Sequence, residues 1–158
     1  MKVNDEQFFK DYFKTSTIIF IALLIGQLLF AGVTYFLVSE KAEFVINPED
    51  HFFIIIPLFI FGGVLSGVLI TKYRLSAIKQ IPNIKVKLTE YRVILIVKLA
   101  LLEGTLLALV AYLTTENSLF LLFAVLSILI YLANRPTRYR VANDLELNED
   151  ERVLLGAR

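Results

Sequence analysis

The run from Val93 to Leu113 is long enough to cross a bilayer, and a carboxylate, Glu103, sits near its centre. Few sequence features constrain a fold more. In hydrocarbon every backbone N–H and C=O must be satisfied within the segment, so such a run is read as a helix. An acidic side chain at mid-depth costs about 2.5–3.5 kcal/mol on insertion scales, so Glu103 needs a partner, a proton or a water-filled site.

Three further apolar runs surround this one. Residues 17–38 and 52–71 match the roughly 20 residues a spanning helix needs, and residues 118–134 form a shorter fourth. The 158 residues are 57% hydrophobic, against about 45–50% in a soluble domain, which leaves room for one compact membrane domain. The expected fold class is an all-α, four-helix transmembrane bundle (spans about 17–38, 52–71, 93–113 and 118–134), or two repeated hairpins. It is flanked by an amphipathic N-terminal segment, residues 1–16, and a tail, residues 135–158. Met1 to Lys14 is mixed in charge and no small-residue cleavage site follows, so a cleaved signal is not expected.

Local signals mark the ends of these segments. Asn4, followed by Asp5 and Glu6, reads as a helix start, and Phe8, Phe9, Tyr12 and Phe13 share one face. This segment is either an interfacial helix or the beginning of the first span. Asn47-Pro48-Glu49-Asp50 reads as a cap, a proline at the first helical position and acids in the first turn. Pro57 removes a backbone hydrogen bond and is expected to kink the second span. Gly63 and Gly67, four apart, let another helix approach closely. Lys72 to Arg92 reads as a polar connection broken by Pro82. Asn148 before Glu149-Asp150-Glu151 starts a short tail helix with an apolar side of Val153, Leu154 and Leu155.

Basic residues set the expected orientation. Lys2, Lys10, Lys14, the stretch Lys72 to Arg92 and the tail arginines lie on one side, while the two remaining loops hold only Lys41. The positive-inside rule then places both termini in the cytoplasm, in the cytoplasmic membrane if the source is bacterial. Arg135, Arg138 and Arg140 form a cluster suited to anionic headgroups.

The chemistry that can be written for this chain is narrow. There is no cysteine and a single histidine, His51, read as a solvated interfacial residue. No phosphate-binding glycine loop or Ser/His/Asp arrangement occurs. The net charge of +1 gives no field for nucleic acid. The chain is expected to be non-enzymatic, with no cofactor and no metal.

Ala22-Leu23-Leu24-Ile25-Gly26-Gln27-Leu28-Leu29 aligns with Ala100-Leu101-Leu102-Glu103-Gly104-Thr105-Leu106-Leu107, identical at six of eight positions. This suggests a duplicated hairpin. Gly62-Gly63-Val64-Leu65-Ser66-Gly67, Lys79-Gln80-Ile81-Pro82 and Leu99 to Gly104 resemble the proteolipid c subunit of rotary ATPases over about 45 residues. In that family a glycine-rich helix leads through a basic-Gln-Pro loop to a helix with one proton- or sodium-binding carboxylate. The resemblance implies that Glu103 is that carboxylate and that Lys79, Gln80 and Pro82 are the polar loop.

Counting depth from the span ends brings Gln27, Gly62, Gly63, Glu103 and Ser127 to one mid-membrane layer, where Gln27 and Ser127 can donate to the carboxylate. Lys98 lies about 140° round the helix from Glu103 and is expected to snorkel to the cytoplasmic side. The leading expectation is that the polar layer locks four helices in register. The chain would then be an accessory membrane component that docks a protein partner through its tail, or forms a homo-oligomer, within the lipid bilayer. The alternative is a proton- or cation-translocating subunit using Glu103. Reporter fusions after Lys41 and after Lys79 are expected to give opposite topological signals; equal signals would sink the four-span arrangement.

Overall fold

The computed structural model describes the backbone of residues 3–157 and the side chains of residues 7–157. The readings made on Lys2, on Arg158 and on the side chains of Asn4, Asp5 and Glu6 lie outside the described residues. Seven helices follow one another: α1 (Val3–Val38), α2 (His51–Ile78), α3 (Ile84–Leu101), α4 (Gly104–Thr115), α5 (Ser118–Ala133), α6 (Arg138–Asp144) and α7 (Glu149–Leu155). Among the described residues the rest is turn and coil, apart from one isolated parallel bridge between Glu43 and Asn117.

Three segments are long and apolar enough to cross a bilayer: Gln7–Val38, His51–Ile78 and Ile84–Thr115. A fourth is reached when α5 and α6, bent by 77° at their junction, are taken as one broken span. The helices run further than the hydropathy pattern predicts. The N-terminal segment is continuous with α1, so Phe9, Tyr12 and Phe13 are the first turns of a single helix. At about 1.5 Å of rise per residue, the 36 residues of α1 exceed the roughly 30 Å hydrocarbon core by several turns. The expected polar connection shrinks to residues 79–83, because α2 continues to Ile78 and α3 begins at Ile84, capped by the Asn83 side chain on the Lys85 N–H. Pro57 is accommodated inside an uninterrupted α2. The start of α2 also differs from expectation. Asp50, not Asn47, is the cap, accepting from the Phe52 N–H at 2.9 Å, while Asn47 Oδ1 closes a local turn on the Glu49 N–H.

The third span is the centre. In its apolar window 44% of residues are buried within the protein, against 17% for α1 and for α2. α4 packs along α5, α2 along α3 and α4, and α1 along both α3 and α4, whereas α1 and α2 scarcely meet. Two hairpins of equal construction are therefore not what the packing shows, since the second hairpin is tight and the first is open. The outer faces of α1 and α2 carry Ile25, Leu29, Phe36, Leu58, Phe61 and Leu65, all exposed as a lipid-facing surface requires.

Close approach of α2 to α3 depends on one glycine. A Cβ on Gly63 would overlap the Leu101 carbonyl oxygen, and one on Gly67 would stand 3.4 Å from Lys98 Cγ. Gly62, one residue away, faces open space.

At the end that holds both termini, the tail folds back on the bundle. Phe9, Tyr12 and Phe13 of α1, Leu75 and Ile78 of α2, Leu88 and Tyr91 of α3, and Val141, Leu145 and Leu155 of the tail share one core. The tail is locally well determined. Thr137 caps α6, and Asn148 with Glu151 forms a reciprocal capping box on α7. Gly156 closes α7 at a φ of 67°, a conformation in which a side chain would be strained. Arg138 donates to the Leu155 carbonyl at 3.2 Å and lies 5.3 Å from the centre of the Phe13 ring. Lys87, buried, meets Glu151 at 3.4 Å, and the Tyr91 hydroxyl donates to Asp144 at 2.5 Å.

At the opposite end the two loops are stitched together. Asn117 exchanges two hydrogen bonds with the backbone of Val45, and the Ser118 N–H donates to the Glu43 carbonyl at 2.8 Å. Asn117 also caps α5 through the Leu119 N–H.

Opposite responses to the same substitution are expected at the adjacent glycines. Gly63→Ala should lower the thermal midpoint in detergent, at a cost of about 1–3 kcal/mol for overpacking against backbone. Gly62→Ala should leave the midpoint unchanged or raise it, because alanine is the better helix former by about 1 kcal/mol. Equal effects at both positions would contradict the close approach.

Candidate functional site at the helix break

The third span, Ile84–Thr115, is interrupted near its middle between α3 and α4. Glycine is a poor helix former, and Gly104 follows a carboxylate that does not settle easily among apolar neighbours. α3 ends at Leu101, Leu102 and Glu103 form a turn, and α4 restarts at Gly104. The turn is closed by short-range bonds: the Leu102 N–H donates to Lys98 and Leu99, the Glu103 N–H to Ala100 at 3.2 Å, and the Leu106 N–H to Glu103 at 3.3 Å. Glu103 occupies the N-cap position of α4 with φ −78° and ψ 28°, and its side chain makes no capping bond. The break is absorbed by neighbouring helices. The Leu101 carbonyl lies against bare backbone at Gly63, while Gly104 admits Ile60 so closely that a Cβ there would sit 2.9 Å from Ile60 Cγ1.

The polar residues expected at this level are all near it but pair differently from expectation. Gln27, on the buried side of α1, accepts a hydrogen bond through Oε1 from Thr105 Oγ1 at 3.2 Å, and both residues are buried. Neither Gln27 nor Ser127 bonds to Glu103. Gln27 Nε2 and Ser127 Oγ are buried without a hydrogen-bond partner. Glu103 is half-buried. Its carboxylate makes no hydrogen bond or ion pair among the described residues. Tyr131 is held by stacking on Phe20 at 4.8 Å and by donating to the Phe20 carbonyl at 3.1 Å.

Thr105 was the missing partner. The only signal for it was the internal alignment, in which Thr105 stands opposite Gln27. α1 and α4 pack together with those aligned residues in contact.

Space around this layer is unevenly distributed. The gap bounded by Ile60, Val64, Leu102, Gly104, Ser127 and Ile130 is too narrow to admit a water molecule. Toward the outside of α2 lies an open apolar groove of about 370 Å³, with Gly62, Gly63 and Ser66 as its floor. Among the described residues no three His, Asp or Glu side chains gather as a metal site. Lys98 lies away from Glu103, in a cleft shared with Arg140 and Asp144. Of the basic cluster, Arg138 and Arg140 are partly used within the fold: Arg140 donates to the Ala133 carbonyl and to Asn134 Oδ1.

Comparison with known protein families, curated proteins and solved structures finds no match for this chain.

A double-mutant cycle checks the pairing. Gln27→Leu with Thr105→Val is expected to show a coupling of about 0.6 kcal/mol, the average for interhelical hydrogen bonds in membranes. No coupling there, with Gln27 coupled instead to Glu103, would return the layer to the arrangement expected from sequence.

Proposed function

We propose that this chain is a small four-span integral membrane protein with both termini in the cytoplasm and no enzymatic activity of its own. It serves as an accessory component that holds a partner at its cytoplasmic end. The observation that carries this reading is the buried polar pair beside a tightly packed gap. The Gln27–Thr105 bond is buried, and no water-sized space adjoins Ser127 and Gly104. A route for ions needs water or a chain of exchangeable groups reaching the site. A layer of this kind instead sets the register of the helices around the third span.

The cytoplasmic orientation rests on the basic residues at the terminal end, against Lys41 alone in the other loops. The tail supports docking as a folded unit rather than as a loose peptide. Leu155 is committed to the protein's own core and Leu154 packs against it, while Val153 and Tyr139 stay exposed on the same folded head. A partner would therefore meet a preformed surface.

A second reading is favoured by one feature, the helix break at Glu103. Discontinuous helices at mid-membrane build the substrate and ion sites of many transporters. In that reading Glu103 exchanges a proton or cation, as the resemblance to the rotary-ATPase proteolipid subunit implies.

Glu103→Gln separates the two, because it keeps the shape and removes the titrating group. The expected result is a variant that inserts, melts and captures protein from native membrane as the parent does, with unchanged proton and cation flux in reconstituted vesicles. Loss of flux with intact folding, together with pH-dependent modification of the parent by a hydrophobic carbodiimide, would establish the translocation reading instead.

A further inference from the structure

The residue left over by the functional reading is Lys98. It lies in an apolar run, where an ammonium costs about 2.5–3.5 kcal/mol near the middle of a span. Its stem lies beside Gly67 of α2, where a Cβ would stand 3.4 Å from Lys98 Cγ. The amine then enters a cleft of about 260 Å³ between α2, α3 and α6, lined by Val68, Thr71, Lys72, Lys79, Lys98, Arg140 and Asp144 among others.

The charges in this cleft do not balance. Four cations face one carboxylate. Lys79 is matched by Glu146 at 2.7 Å, and Asp144, which accepts the Tyr91 hydroxyl at 2.5 Å, keeps its charge, so three cations share one carboxylate. Arg140 rests on the Ala133 carbonyl and Asn134, which are neutral acceptors and cancel no charge. Among the described residues no hydrogen bond or ion pair holds Lys72 or Lys98. Like charges gathered in a cleft without a compensating anion repel one another, and half-buried groups are screened less than exposed ones. Lys98 also stands only five residues, or about 7–8 Å, from Glu103 toward the terminal end. If Glu103 marks the middle of the span, the reach of the Lys98 side chain brings its amine toward the headgroup level.

We propose that this cleft binds a phosphate-bearing anion at the membrane surface, with Lys98 and Lys72 as the primary contacts and Arg140 as the third. The shared chemistry is a phosphate monoester or diester, supplied by a lipid headgroup or by a soluble phosphate. The cleft wall favours the lipid. Val68 is continuous with the exposed apolar strip of Leu65 and Leu69 on α2, along which an acyl chain can lie. This inference rests on the chain spanning a bilayer, and is independent of whether the head docks a partner.

The test uses the full chain in nanodiscs of phosphatidylcholine containing phosphatidylglycerol, followed by release and native mass spectrometry of retained lipid. Inorganic phosphate is titrated separately against the detergent-solubilised protein. Phosphatidylglycerol is expected to be retained about tenfold over phosphatidylcholine, equivalent to about 1.4 kcal/mol, and Lys98→Met is expected to abolish the preference. Lys41→Gln removes a charge from the other end of the bundle and should change nothing. Binding of inorganic phosphate that is lost in Lys98→Met, without lipid preference, identifies the soluble source and sustains the site. Should Lys98→Met fail to fold, Lys72→Gln with Arg140→Gln takes its place. Equal retention of both lipids with no phosphate binding overturns the proposal. So does a preference that survives the cleft variants and disappears only in Arg135→Gln.

Discussion

A carbonyl group released from a helix inside hydrocarbon has no water to receive it, and the arrangement of this protein follows from how that problem is met. The third span breaks at Leu102 and Glu103, and the Leu101 carbonyl is lodged against the bare backbone of Gly63. A side chain at position 63 would overlap that oxygen, so the approach needs glycine there. Because α2 must come this close, Gly67 is brought over Lys98 and Ile60 over Gly104. One discontinuity thus determines the α2–α3 interface for several turns on either side.

The two ends of the bundle are closed by different means. At the terminal end, a core of aromatic and aliphatic side chains takes in the tail, and charged groups such as Lys87 and Arg138 are tied to it. At the other end Val38, Ile56, Tyr112 and Phe120 belong to a second buried core beneath the loops. The loops are held by a handful of backbone-directed bonds from Asn117 and Ser118. Apolar residues of the first loop, Phe44 and Ile46, remain exposed beside them, as suits a segment at a membrane surface. A carboxylate with no bond of its own, Glu103, lies between these two closed ends.

What was legible in sequence were the properties that hydrophobic length and local caps encode. The apolar runs matched helices, Asn148 opened α7, and the small residues at Gly63 and Gly67 lay where α2 meets α3. Depth counting brought Gln27, Glu103 and Ser127 to one layer, yet it could not say which of them would pair. Pairing depends on rotation about each helix, and the break at Gly104 alters that rotation. So Gln27 meets Thr105, whose only mark in the sequence is its place opposite Gln27 in the internal alignment. The lengths of α1 and α2 were underestimated for a related reason. Polar turns such as Lys72 to Ile78 are helical because the tail covers Leu75 and Ile78, a contact distant in sequence. Nothing local to Asn117 shows that its amide reaches Val45, 72 residues earlier in the chain.

The near absence of contact between α1 and α2 has a bearing on how the chain is built. Both helices find their packing surfaces on α3 and α4, which follow them in the chain. The contacts that hold the first two spans are therefore supplied mostly by segments later in the chain, and the loop between them is fastened by Asn117, 72 residues beyond Val45. Along most of their length these two helices are joined through the later ones and not to each other.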